Sequence, residues 1–361
     1  MSPRTILIAS AAAAALAAPA LAQDLKKVSF GTNWVAQAEH GGYYQAVADG
    51  TYAACGLEVE ILPGGPQVNN RAQMLAGKID FHMGGNLLQA FNAVEQGIPL
   101  KVVAAHFQKE PQVLLTHPGA ADSFEDLKNL DELLIGDGGF QSYYQWLISD
   151  YGFDAGKRAP YTYNPAPFLA NPNSAQQGYI TSEPYAIEQQ GGFAPDIWVL
   201  ADYGFSTYAT TVETMQATID ESPEAVKCFV EGSAIGWANY LYGDNAAANA
   251  LIQADNPDMS DGQLAFSLEK MKQYGIVDSG KSLVLGIGAM SDDTFEDFYG
   301  KMVKAGVIAD GIDIAQSYTL EFSNTGAALP VKRGLVPPSV LIEVPAAIAA
   351  EVEKLIESVT E

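Results

Sequence analysis

From Lys27 to about Ala201 the sequence alternates short apolar runs with helix-patterned segments and glycine stops, which points to a layered α/β fold. Residues 27–31, 57–62, 79–83 and 100–106 read as strands. Helices over 42–49, 67–76 and 87–96 lie between them. Gly77 and Gly97 end the last two at the left-handed position that glycine occupies cheaply. A second set starts after Pro111, with strands over 112–116, 133–136, 161–163, 178–181 and 197–201 and an aromatic helix over 142–150. The chain then crosses back through Thr207 to Val212. Ser222-Pro223-Glu224 opens a long helix, with Ser at the cap and Pro at the first helical position. Val226, Phe229, Val230, Trp237 and Leu241 form its core stripe.

Two α/β units, the first interrupted by the second, describe a bilobal clamshell. The expected division is 23–110 for the first part of lobe 1 and 111–208 for lobe 2. Residues 209–325 are expected to return to lobe 1, and 326–361 to form a C-terminal tail, helical over 344–360. Ahead of these, residues 1–22 have the features of a cleaved secretory signal peptide. Arg4 precedes an alanine-rich apolar run, and Ala20-Leu21-Ala22 is a small-x-small cleavage site. The run is short for a membrane span, which needs about 20 strongly apolar residues. The expected location is therefore the periplasm.

Acidic residues number 43 against 19 basic, a formal net charge of −24. Such a field repels nucleic acid and anionic lipid, so neither is an expected partner. Cys55 and Cys228 are the two cysteines. In a chain with core enough for two domains they read as buried small hydrophobes rather than as a disulfide.

In open α/β sheets ligands bind beyond the carboxyl ends of the strands, and two facing lobes put both sets of loops on one cleft. Asn33 and Trp34 follow the first strand, while His40 and Tyr43 flank Gly41-Gly42 at the start of its helix. Asn suits a polar edge and the aromatic rings suit stacking. Gly84-Gly85-Asn86 repeats the arrangement at the third strand, making Gly85 and Asn86 candidates. In the second unit Phe140, Tyr163, Glu183 and Tyr185 hold equivalent positions. Glu183 is placed to accept hydrogen bonds from an amino group. No GxSxG, HExxH, CxxC or phosphate-loop pattern occurs, so no catalytic residue and no cofactor is expected. His82 and His106 sit on neighbouring strand ends without a carboxylate or cysteine cluster, and no metal site is expected either.

The stretch "NWVAQAEHGGYYQAVADGTYAACGLEVEILPGGPQVN", with its Asn-Trp…His-x-Gly-x-Tyr spacing and the later "GYITSEPYA", resembles a family that joins two groups. One comprises the pyrimidine-precursor-binding proteins of ABC importers, and the other the fungal thiamine-pyrimidine synthases. The resemblance runs from Lys27 to about Gly306. It implies a type II periplasmic-binding-protein fold, two three-layer α/β lobes closing on a small heteroaromatic, with Asn33, Trp34, His40, Tyr43 and Glu183 on ligand-site motif positions. It further implies an inner-membrane ABC permease as partner, and the expected carrier is a monomer. The synthases' cysteine-rich motif and pyridoxal-phosphate lysine have no counterpart here, which argues against an exported synthase-like enzyme. Riboflavin, a sulfonate such as taurine, and nitrate are the alternative cargoes.

Overall fold

The computed structural model describes residues 25–336; the expected signal peptide and the helix over 344–360 lie outside them. Two five-stranded sheets organise the chain. The first contains β1 (Lys26–Gly31), β2 (Leu57–Leu62), β3 (Phe81–Asn86), β4 (Leu100–Phe107) and β10 (Ala209–Met215), in the order β2-β1-β3-β10-β4. The second contains β5 (Gln112–Thr116), β6 (Glu132–Ile135), β7 (Arg158–Pro160), β8 (Ser174–Tyr179) and β9 (Asp196–Val199), in the order β7-β6-β8-β5-β9. The two orders share one plan. In each sheet a strand that directly follows a crossing inserts antiparallel to its neighbours: β10 between β3 and β4, and β5 between β8 and β9. The other pairings are parallel. Both crossings therefore enter a sheet at once, which places the connections beside the strand ends that form the cleft.

Most strands fall close to their expected places; the one expected over 178–181 starts earlier, as β8 at Ser174, and two further shifts are informative. Gly84-Gly85-Asn86 does not leave the sheet; β3 runs through it, and Asn86 pairs with Ala209. β7 stops at Pro160, before the expected strand over 161–163, and Tyr163 takes a left-handed φ of 60°. That conformation is uncommon for a residue with a Cβ and turns the tyrosine away from the sheet.

The long helix Pro223–Tyr242 packs on the helix Gly41–Ala48, and glycine decides how closely. A Cβ at Gly236 would lie 2.1 Å from the carbonyl oxygen of Gly42, and one at Gly42 would meet the Trp237 ring at 2.2 Å. This contact fixes which face of Gly41–Ala48 turns inward. Below it, Phe229 stacks on Phe81 with centroids 4.2 Å apart.

The two cysteines are joined, contrary to the expectation from sequence: Cys55 and Cys228 form a disulfide with Cα atoms 5.8 Å apart. The reason is the same helix packing. Pro223–Tyr242 lies against the one-turn helix Thr51–Ala54, which carries Cys228 to Cys55 across 173 residues of sequence. Near the carboxyl end of the described chain, Leu329–Leu335 is helical.

Candidate functional site

A cavity of about 210 Å³ opens between the lobes at the carboxyl ends of β1 and β8. From the first lobe come Asn33, Trp34, Gln37 and Glu39. From the second come Gln112, Tyr163, Gln177, Tyr179, Ser182 and Glu183. The loop after β1 is held by its own backbone. The Thr32 hydroxyl donates to the Trp34 carbonyl at 2.8 Å, and the Gly64 N–H reaches the same oxygen at 3.0 Å. Trp34 is thereby presented across the cleft to Tyr163, with ring centroids 4.6 Å apart and planes tilted by 47°. Tyr163 is 53% exposed, so the two rings form a lip rather than a piece of core.

Behind the lip sit carboxylates. Glu39 is 3% exposed and accepts a hydrogen bond from the Thr181 hydroxyl of the other lobe at 2.5 Å. Burial raises its pKa against the opposing effects of that hydroxyl and its own N–H. Glu183, at the start of the helix Glu183–Gly191, accepts the Tyr179 N–H at 2.7 Å. Gly178 makes room for it, since a Cβ there would stand 2.7 Å from the Glu183 Cβ. Burial pushes Glu183 up to about 7; the Tyr179 and Glu183 N–H groups offset part of this, and Glu39 adds to it. A third carboxyl, Glu110, is 3% exposed at the crossing into β5, and burial pushes it up to about 8 against the Gln112 N–H. The Tyr179 phenol, raised by burial and then by Glu110, Glu39 and Glu183 in turn, lies among all three. Among the described residues no lysine or arginine lines the cavity.

Two amides complete the wall. Gln177 Oε1 accepts the Gly136 N–H at 2.6 Å and the Tyr143 hydroxyl at 2.9 Å, which commits the oxygen and leaves the NH₂ as donor. Gln112 Nε2 donates to the Gly178 carbonyl at 2.8 Å, leaving its oxygen as acceptor. A carboxylate pair, two amides and two rings can hold a flat molecule with polar edges.

Of the residues expected from sequence, Asn33, Trp34, Tyr163 and Glu183 line this cavity. Gly85 and Asn86 line a second, adjacent chamber. The other four line neither. His40 is 1% exposed, and burial lowers its pKa to about 3, so it is a neutral core imidazole. The Tyr43 hydroxyl bonds His106 Nδ1 at 2.9 Å, and its ring lies 4.4 Å from Phe30. Both were drawn inward by the close helix crossing at Gly42. Phe140 packs on Tyr144 and under the Arg158 guanidinium instead of lining the cleft. Tyr185 packs on Phe266 of the helix Asp261–Gln273, its ring tilted by 47°, a contact between lobes. Sequence reasoning missed Glu39, Glu110, Gln112, Gln177 and Tyr179. Glu39 had a signal, being the residue before His40 in the motif stretch, and Gln177 directly precedes "GYITSEPYA".

His82 and His106 do not converge on a metal. His82 Nδ1 pairs with the buried Glu213 at 3.1 Å, and His106 with Tyr43. Among the described residues no group of three His, Cys, Asp or Glu is placed to hold an ion.

Two α/β lobes with a cleft at their strand ends define the type II periplasmic-binding-protein fold. The chain belongs to the NMT1/THI5 like family, whose model matches residues 37–247. It is 24% identical over 332 residues to the riboflavin-binding protein RibY of Chloroflexus aurantiacus, a match covering 88% of this chain and 92% of that one. Among solved structures, a putative periplasmic sulfonate-binding protein, SsuA of Methylobacillus flagellatus, aligns with a TM-score of 0.60 at 15% identity. The alignment covers 88% of this chain and 98% of SsuA. The periplasmic nitrate-binding protein NrtA of Synechocystis aligns with a TM-score of 0.54 at 13% identity, covering 89% and 92%. At these identities the structural likeness speaks to the fold.

Proposed function

We propose that this protein is the periplasmic solute-binding component of an ABC importer. Its cargo, on this reading, is a flat heteroaromatic that offers hydrogen-bond donors, with a thiamine pyrimidine precursor as the type. The observation that carries the reading is the pair Glu39 and Glu183, brought from opposite lobes to one cavity beside Trp34 and Tyr163 with no basic residue on the wall. A carboxylate held away from water without a countercharge, as Glu39 is and the half-buried Glu183 is in part, is costly. An amino group or ring N–H entering between them supplies the missing donors, while the rings take its faces. Closure of the lobes then buries most of the molecule, which is how a small ligand gains affinity from few atoms.

A sulfonate or nitrate fits this wall poorly, because its charge would be desolvated against carboxylates with no lysine or arginine to meet it. Riboflavin is the second reading, favoured by the similarity to RibY over most of both chains. The fold also supports unrelated functions, and it is the wall chemistry, not the architecture, that favours a donor-bearing ring. A permease in the inner membrane is the partner this role requires, and a monomer suffices for it.

The test is a calorimetric panel on the exported protein, purified without refolding. It comprises 4-amino-5-hydroxymethyl-2-methylpyrimidine, its formylamino analogue, riboflavin, taurine and nitrate. Binding of a pyrimidine or the flavin with no response to the two anions is expected. Tight binding of taurine or nitrate alone would overturn the reading.

A further inference from the structure

The ring cavity does not end the cleft. A second chamber of about 490 Å³ adjoins it, sharing Gln112 and Tyr179 as wall residues. Sites for small molecules usually measure roughly 300–1,000 Å³. The first cavity alone falls below that range and the second within it, so one ligand reaching through both is the economical occupant. The second wall is of a different kind. Asn86, Asn92, Gln141 and Ser142 supply amides and a hydroxyl from both lobes, and Glu110 is the one ionisable side chain besides two tyrosines. Asn92 is half-buried and Gln141 exposed toward the chamber, and among the described residues no lysine or arginine lines it. The helix Leu88–Glu95 begins here, but its first amide is already taken: Asn86 Oδ1 accepts the Leu88 N–H at 3.0 Å.

Resting on the ring reading of the first cavity, we propose that this second chamber is a subsite for an uncharged, hydroxyl- or amide-bearing chain attached to the ring, and that it is closed to the phosphate ester of that chain. Asn92, Gln141 and Glu110 exchange hydrogen bonds with the chain. A terminal phosphate would bring a dianion into a chamber that has a buried carboxyl and no cation to meet it, so its lost hydration goes uncompensated.

The experiment titrates three flavin probes that share the isoalloxazine ring: lumiflavin, which carries a methyl group in place of the chain, riboflavin, and riboflavin 5′-phosphate. 4-Amino-5-hydroxymethyl-2-methylpyrimidine is the separate probe of the ring cavity. Each is measured against the wild type and the double variant Asn92→Ala/Gln141→Ala. Riboflavin is expected to bind about tenfold or more tighter than lumiflavin, the worth of one to two net hydrogen bonds. The double variant should erase that margin and leave lumiflavin unchanged, and the phosphate should bind at least about tenfold more weakly than riboflavin. Equal affinity for lumiflavin and riboflavin would overturn the subsite while the ring reading stands, as would a margin the variant does not touch. Binding of the pyrimidine but of no flavin has the same consequence. Tighter binding of the phosphate would hand the chamber to the Leu88–Glu95 helix terminus and overturn the exclusion. If no ring probe binds at all, the ring reading and the subsite fall together.

Discussion

Two buried carboxylate neighbourhoods in the first lobe differ in a way that separates scaffold from site. Glu213, on β10, is fully enclosed and paired: its Oε2 receives Arg71 Nε at 3.2 Å and His82 Nδ1 at 3.1 Å. Burial alone would raise its pKa, yet the hydrogen bonds and charges of His82 and Arg71 hold it below the usual carboxylate value. Glu39 is as deeply buried, and with Glu183 across the cleft it has hydroxyl and backbone donors but no cation; both are shifted upward. The protein completes the charge balance of Glu213 with its own side chains and leaves that of the cleft open. On the proposed reading, a carboxylate left open beside two rings is one that a ligand completes.

The comparison breaks most visibly on stability. Removing the Glu213 carboxylate strands Arg71 and His82, so Glu213→Ala should cost about 3 kcal/mol in urea unfolding, the low end for a broken buried pair because Arg71 keeps some solvent contact. A loss below about 1 kcal/mol would make the network incidental. Next in size is Trp34→Ala, which leaves the core untouched and should weaken ligand binding by about 1.5–3 kcal/mol through lost stacking and burial. An equally large loss of stability would move Trp34 from the site to the scaffold.

The smallest effect sharpens the contrast through pH. Glu183 and Glu110 have folded pKa values of about 7 and about 8, above the 4.5 of an unperturbed glutamate, so between these values the native state binds more protons than the unfolded chain. Stability of the ligand-free protein must then fall as pH rises from 6 to 8, by roughly 1 kcal/mol per pH unit. His40 and His106, held to about 3 by burial, act in the opposite sense: they contribute stability above 6.5 that is lost on acidification. Denaturation followed across pH should therefore show a maximum on the mildly acidic side. A flat profile from 6 to 8 would mean that the cleft carboxylates are better solvated than the structure has them.

How much of this was legible in the sequence follows from the range of the interactions involved. Most strand positions, though not that of β7, were readable because each is written in a few consecutive residues. Asn33, Trp34 and Glu183 were readable as site candidates because they lie just past strand ends. His40 and Tyr43 were misplaced because the inward face of their helix is set by Gly236 and Trp237, far along the chain. The Cys55–Cys228 bond was missed for the same reason. Gln177 and Glu110 look like ordinary polar residues in sequence. Their roles come from which hydrogen bonds the fold has already used: Gln177 Oε1 is spent on Gly136 and Tyr143, whereas Glu110 has only a backbone N–H to offset its burial.

The central claim is that the cleft carboxylates wait for donors carried by the ligand. The direct measurement is titration of 4-amino-5-hydroxymethyl-2-methylpyrimidine into wild type and Glu183→Gln, with the unfolding temperature of each recorded alongside. Loss of a charge-assisted bond is worth about 2–3 kcal/mol, so the variant should bind roughly thirty- to a hundredfold more weakly while its unfolding temperature holds or rises. Unchanged affinity with a lowered unfolding temperature would contradict the account, because Glu183 would then be scaffold like Glu213.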